Sequence, residues 1–95
     1  MISFAVRMRF AQEDRDNVQN AVRQLTEASR REPGCITYIP HEVGGDPSQI
    51  MIYEQYLDQT ALDAHRASPH FREHAIGGLN QWMKERNVED LNALA

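Results

Sequence analysis

One cysteine, Cys35, one lysine, Lys84, and one tryptophan, Trp82, occur among 95 residues. A single cysteine excludes an internal disulfide framework, a CxxC redox motif and any multi-cysteine zinc site. A single lysine near the end of the chain argues against Schiff-base chemistry. Basic side chains are also scarce: ten Lys and Arg against fourteen Asp and Glu give a net charge of −4. No basic stripe forms, so nucleic acid is not an expected partner. No apolar run approaches the roughly eighteen residues that a membrane span needs, so no membrane partner is expected. The opening segment MISFAVRMRF is interrupted by Arg7 and Arg9 and has no charged region ahead of it, so it does not read as a signal peptide. These absences together describe a cytoplasmic protein. Gly44-Gly45-Asp46-Pro47 lacks the following helix that would make it a phosphate cradle.

The composition that remains is that of an ordinary globule, 41% apolar and 25% charged. The length allows one domain over residues 1–95. A chain of this size buries roughly 65% of its unfolded surface, enough for one modest core.

Hydrophobic periodicity gives the order of elements. Ile2, Phe4, Val6, Met8 and Phe10 alternate with Ser3, Ala5, Arg7 and Arg9, which predicts a strand with one face on a core. Val18, Ala21, Val22, Leu25 and Ala28 follow at helical spacing, in a helix expected from about Asp14 to Arg31 and stopped by Pro33-Gly34. A second strand reads Cys35 to Val43, and Pro40 within it predicts an edge position. The cluster Gly44 to Ser48 reads as a hairpin loop longer than two residues, and a third strand runs from Gln49 to Leu57. Asp58 or Thr60 caps a short helix through Ala67. Ser68-Pro69 opens a second helix expected from His70 to Glu85, interrupted by Gly77-Gly78, and Val88 to Leu94 forms a weakly patterned last strand. The order β-α-β-β-α-β is that of a split βαβ, ferredoxin-like α+β fold. Ile50, Met51, Ile52, Tyr53, Tyr56 and Leu57 put apolar side chains on both faces of the third strand. Two helices cover only one face, so a homodimer with facing sheets is expected.

Glu54 is the anomaly of that strand, a carboxylate on the face of Ile52 and Tyr56. Two readings stand: an ion pair with Arg7 or Arg66, or a partner for a histidine in a cavity. His65 follows Leu62 on the short helix and points inward, either as a hydrogen-bonded core residue or as a general base. His70 and His74 lie four residues apart, and with Glu54 they form the only metal set worth weighing. HxxxH recurs by chance and the acidic residue of a zinc-protease motif is misplaced, so no metal is assigned. Cys35 has no histidine near it in sequence and reads as structural.

The segments Glu32-Pro33-Gly34-Cys35-Ile36, Tyr53-Glu54-Gln55-Tyr56 and Ala61-Leu62-Asp63-Ala64-His65-Arg66-Ala67-Ser68-Pro69-His70-Phe71 resemble the antibiotic biosynthesis monooxygenase family, and within it the small quinol monooxygenase-like proteins. The resemblance implies a ferredoxin-like subunit in a dimeric α+β barrel. It also implies oxygenation of a hydroquinone or polycyclic phenol by molecular oxygen without a metal or flavin cofactor. The haem-degrading branch of the family does not fit. Its asparagine, tryptophan and ligating histidine fall at Val6, Tyr56 and Ala75, with His74 one residue out of register.

The expected site follows. His65, oriented by Glu54, removes a phenolic proton in an apolar pocket lined by Phe4, Val6, Ile52, Tyr56, Phe71 and Leu79. His70 and Tyr56 hydrogen-bond the second oxygen of a small aromatic substrate, and His74 is grouped with them. Two other functions fit the same residues. One is an isomerase of a small phosphorylated carbonyl compound, with Arg66 and Arg72 as the nearby cations. The other is a dimer that binds a small molecule without catalysis. The sequence leaves open whether Tyr38 and His41 line the pocket.

Overall fold

The computed structural model describes residues 1–95. The elements are β1 (Ile2–Phe10), α1 (Arg15–Ser29), β2 (Cys35–Val43), β3 (Asp46–Tyr56), α2 (Gln59–Arg66), α3 (residues 69–82) and β4 (Met83–Leu91). All strand pairs are antiparallel and the sheet order is β2-β3-β1-β4. This is the ferredoxin-like α+β arrangement that the element order predicts. No helix is long and apolar enough to cross a membrane.

Alternation decides which face of the sheet is buried. Phe4, Val6, Met8 and Phe10 of β1 and Ile50, Ile52, Glu54 and Tyr56 of β3 all point into the core beneath the helices. From α1, Val18, Ala21, Val22 and Leu25 pack down on them. Fully burying a side chain such as Val18 or Leu25 contributes about 1.5–3 kcal/mol. Pro40 lies on edge strand β2 opposite Ile52, as its missing N–H requires. The outer face is bound by a polar ladder: Thr37 donates to Gln55 Oε1 at 2.7 Å, and Gln55 donates to Ser3 Oγ at 3.2 Å.

Three boundaries differ from the sequence expectation. The β2–β3 loop has only two residues, Gly44 and Gly45, at φ 56° and 75°. Both positive angles are the requirement of a tight hairpin turn. Asp46, Pro47 and Ser48 already belong to β3, where Asp46 accepts from Ser48 N at 2.9 Å. Asp58 is the N-cap of α2, its Oδ1 accepting from Ala61 N at 2.8 Å. Of the two capping candidates it is thus Asp58 and not Thr60 that caps α2. The last helix ends at Trp82 and not at Glu85, because Met83 turns to ψ 129° and pairs with Phe10. Strand pairing overrides local helix propensity there. β4 accordingly spans Met83–Leu91, and its residues after Met83 are exposed, which removes any alternating pattern.

Most of α3, Phe71–Leu79, is π-helical. Its wider turn keeps Phe71, Ala75 and Leu79, four residues apart, on one line over the sheet.

Gly34 closes the α1–β2 turn onto α2. A Cβ built there would lie 2.3 Å from the Ala61 Cβ, while the Gly34 carbonyl accepts from Leu57 N at 2.9 Å. Gly34→Ala is therefore expected to cost about 1–3 kcal/mol by overpacking. Adding Ala61→Gly restores the space, so the double variant should unfold at higher urea than Gly34→Ala alone, although glycine in a helix itself costs about 1 kcal/mol. A double variant that unfolds at lower urea than Gly34→Ala, by the full helix cost of glycine, would show that this contact is not the reason for glycine.

Candidate active site

Three chain turns bring the ionisable groups together. After α1 ends at Ser29, Glu32 N donates to Ser29 O at 3.0 Å and Cys35 N donates to Glu32 O at 3.1 Å, which fixes the Glu32 backbone. His65 lies in the last turn of α2. Ser68 Oγ donates to His65 O at 2.6 Å and accepts from Phe71 N at 3.2 Å. This hydroxyl bridges the end of α2 and the start of α3, the helix that carries His70. From below, β3 presents Glu54 and Tyr56 on the same buried face.

The imidazole of His65 is held by Glu32. Its Nδ1 lies 2.9 Å from Glu32 Oε2 and 3.1 Å from Oε1. A carboxylate offers only lone pairs, so Nδ1–H must be the donor, and Nε2 is left with a free lone pair. His70 Nε2 makes a short hydrogen bond to the same Glu32 Oε2. Glu54, expected from the sequence to orient His65, stands 3.8 Å from His65 Nε2 and instead accepts from Tyr56 OH at 2.6 Å. The orienting position belongs to Glu32 because the α1–β2 turn reaches the Nδ1 edge of the ring and β3 faces the other edge. Glu32 sits on a turn, where hydrophobic periodicity carries no signal; only the segment Glu32-Pro33-Gly34-Cys35-Ile36 draws attention to it.

Aromatic rings enclose His65. Ring centroids of Tyr56, Phe71 and Tyr38 lie 5.0, 5.1 and 5.9 Å away. Beside it opens a mostly apolar cavity of about 360 Å³ between the sheet and α3. Of the residues expected in its wall, Phe4, Val6, Ile52, Phe71, Leu79, Glu54 and His65 are there. Tyr56 is fully buried behind Glu54, His70 turns to Glu32, and His74 lies 3.7 Å from Glu73, so these three are outside the lining. Tyr38 lines the cavity, whereas His41 lines a separate hollow of about 420 Å³ between α1 and the β2–β3 hairpin. That second hollow is somewhat larger, and the ionisable side chains around it, Arg23, Glu27, Arg30, His41 and Glu42, are all exposed, whereas His65 and Glu54 are buried. Met8, Leu25, Ala75 and Met83 complete the apolar wall, and Arg66 and Arg86 add two cations. Arg72 is exposed and does not take part. The metal set His70, His74 and Glu54 is not assembled; the donor atoms that lie within 4.8 Å of one another are those of Glu32, His65 and His70.

Burial sets the electrostatics. It pushes His65 below the ordinary imidazole value, against the opposing pull of Glu32, so the ring is neutral near pH 7. It pushes Glu54 up to about 7, against the Tyr56 hydrogen bond and the charge of Arg66. Tyr56 is raised by burial and then by Glu54, so its hydroxyl keeps its proton and remains a donor. Burial also raises the Cys35 thiol to about 11, so it is no nucleophile near neutral pH.

The raised Glu54 carboxyl has a consequence for stability. Between the ordinary carboxyl range and about pH 7 the folded chain binds more protons here than the unfolded chain, so this group's contribution falls as pH rises through that window. Glu54→Gln keeps an acceptor for Tyr56 and removes the titration. The variant should match the parent near pH 4 and exceed it above pH 7, by at most about 3 kcal/mol. Urea midpoints at the two pH values check this, and an unchanged difference between them would refute it.

The comparisons with known proteins agree with the geometry. Residues 1–75 match the model of the family described as antibiotic biosynthesis monooxygenase. The protein named "Putative monooxygenase Rv0793" of Mycobacterium tuberculosis is 36% identical over 61 residues, 60% of this chain and 59% of that protein. An uncharacterised Synechocystis protein, sll1783, is 38% identical over 47 residues, 50% of this chain and 32% of its own length. The matches thus span 59% and 32% of the length of these two curated relatives. A crystal structure of an antibiotic biosynthesis monooxygenase superposes with a TM-score of 0.91 at 27% identity, covering 100% of both chains. PA3566 of Pseudomonas aeruginosa shares the fold, with a TM-score of 0.88 at 24% identity over 99% of this chain and 94% of that one. A ferredoxin-like sheet, a cavity under its helices and a family model matched from the first strand into the last helix have one reading: the chain belongs to the antibiotic biosynthesis monooxygenase family.

Proposed function

We propose that the protein is a cofactor-independent monooxygenase that oxidises a hydroquinone or polycyclic phenol with molecular oxygen, with His65 as general base. The observation that carries this reading is the Glu32–His65 hydrogen bond, which leaves Nε2 unprotonated on the side of the ring nearest Glu54. In the proposed reaction Nε2 takes the phenolic proton. The phenolate then passes one electron to oxygen, and the resulting radical pair combines. One oxygen atom enters the ring and the other leaves as water, with all electrons drawn from the substrate. The protein's contribution is a base, a largely apolar cavity and positioning. Glu54, with its carboxyl near 7, is suited to return a proton to the departing oxygen.

Oxygen uptake by metal-free protein over a panel of hydroquinones and naphthohydroquinols tests the reading. His65→Ala should lower kcat by about 10²–10⁴, the range for losing a general base. Glu32→Gln should lower kcat substantially as well, because an amide can donate to Nδ1 and so trap the wrong tautomer. Uptake above autoxidation that is equal in His65→Ala would overturn the base assignment, and no uptake above autoxidation in the parent would favour a binding protein without catalysis. The isomerase reading draws on Arg66 and Arg86 at the cavity, where a phosphate would bind; saturable binding of a phosphate ester without oxygen uptake would support it.

The proposal extends to a homodimer through the outer sheet face. Ala5, Tyr53 and Ile39 lie side by side across β1, β3 and β2, and Ile39 is 42% exposed. Tyr53→Arg is expected to convert a dimer into a monomer by light scattering. A dimer that persists would place the interface elsewhere.

A further inference from the structure

We propose that Glu32, His65 and His70 form a site for a borderline divalent cation such as Zn²⁺, and that the cation and the base function of His65 exclude each other. The donors are His65 Nδ1, His70 Nε2 and a Glu32 oxygen, all within 4.8 Å of one another. Two imidazole nitrogens and one carboxylate are a familiar ligand set for this class of metal, with the fourth position left to water. Ligands at about 2.0–2.2 Å from a tetrahedral ion lie roughly 3.4 Å apart. His65 Nδ1 and Glu32 Oε2, at 2.9 Å, need to separate by only a few tenths of an ångström.

The three donors stand on backbone that is already fixed. Glu32 is held by the turn that Gly34 seats on Ala61, and His65 and His70 are tied together through the Ser68 hydroxyl. Access exists as well: the side chains of Glu32 and His70 are 15% and 21% exposed, while His65 is 3% exposed. An ion therefore enters from the Glu32–His70 side and not through the cavity.

The exclusion follows from proton counting. Without metal, the single proton of neutral His65 is on Nδ1, donated to Glu32, and Nε2 is free. An ion on Nδ1 needs that lone pair, so the proton must move to Nε2, facing Glu54. His70 likewise binds through Nε2 and carries its proton on Nδ1. The basic nitrogen on the Glu54 side is thereby lost. The exclusion rests on the base role proposed for His65, whereas the binding itself does not.

The experiment uses the whole protein after EDTA treatment, titrated with ZnCl₂ by calorimetry. One Zn²⁺ per chain is expected, with a rise in melting temperature of roughly 10–20 °C at zinc a hundredfold above Kd. Glu32→Gln and His70→Ala should each weaken binding at least tenfold. Nitrogen-15 spectra of the imidazoles should show the His65 proton move from Nδ1 to Nε2 on loading. Oxygen uptake, measured for each protein relative to its own zinc-free rate, should fall with zinc in the parent and not in His70→Ala. Zinc binding that is absent, or equally tight in both variants, overturns the site. Binding with the His65 proton still on Nδ1, or with faster oxygen uptake, overturns the exclusion. If no substrate is oxidised, the base assignment fails alone, because calorimetry and the spectra still decide the site.

Discussion

A single carboxylate, that of Glu32, accepts hydrogen bonds from two histidines that arrive on different helices. Much else in this part of the molecule serves that meeting. The α1–β2 turn must approach α2 closely enough that only hydrogen fits between Gly34 and Ala61. The α2–α3 junction must bend sharply, and Ser68 bonds to both sides of the bend. A partly buried carboxylate with no donors would be strongly penalised, so the two imidazoles stabilise Glu32 as much as Glu32 orients them.

The site holds two carboxylates in different surroundings, and the difference gives them different chemistry. Glu32 is bonded to ring nitrogens on the outer side of His65. Glu54 lies on the inner side, bonded to a tyrosine whose hydroxyl cannot lose its proton near neutral pH. Burial then raises Glu54 to about 7 while His65 is pushed down. Groups whose environments move their proton affinities toward one another can exchange roles as donor and acceptor within one turnover. The 3.8 Å between His65 Nε2 and Glu54 Oε1 is too long for a hydrogen bond, which leaves both free to address a substrate.

What the sequence makes legible follows from which side chains are forced by burial. Strict alternation in β1 and the helical stripe of α1 are visible because each has one dry face. Glu54 stands out for the same reason, as a charge in a pattern that demands an apolar residue. Glu32 does not, because a turn residue among fourteen acidic side chains has no pattern to violate. β4 is obscured by the opposite cause: an edge strand whose residues after Met83 are exposed has no dry face to write an alternation. The hairpin is misread because Asp46, Pro47 and Ser48 are turn-forming types, although the two positive φ angles needed fall entirely on Gly44 and Gly45.

The cavity occupies space that a chain of this length would otherwise fill. Phe4, Val6, Met8, Leu25, Ile52 and Leu79 belong at once to the core and to the cavity wall. With a single layer of helices over the sheet, no second shell of apolar residues stands behind them to take up the load. The wall is held open instead from its ends, by β-pairing below and by the hydrogen-bonded turns around Glu32 and Ser68 above. The π-helical register of α3 fits this design, since it keeps Phe71, Ala75 and Leu79 in line along the cavity. The polar network and the cavity are thus one construction: apolar side chains left to pack freely would close the space, and the histidine–carboxylate junction fixes the helices that would have to move for them to do so.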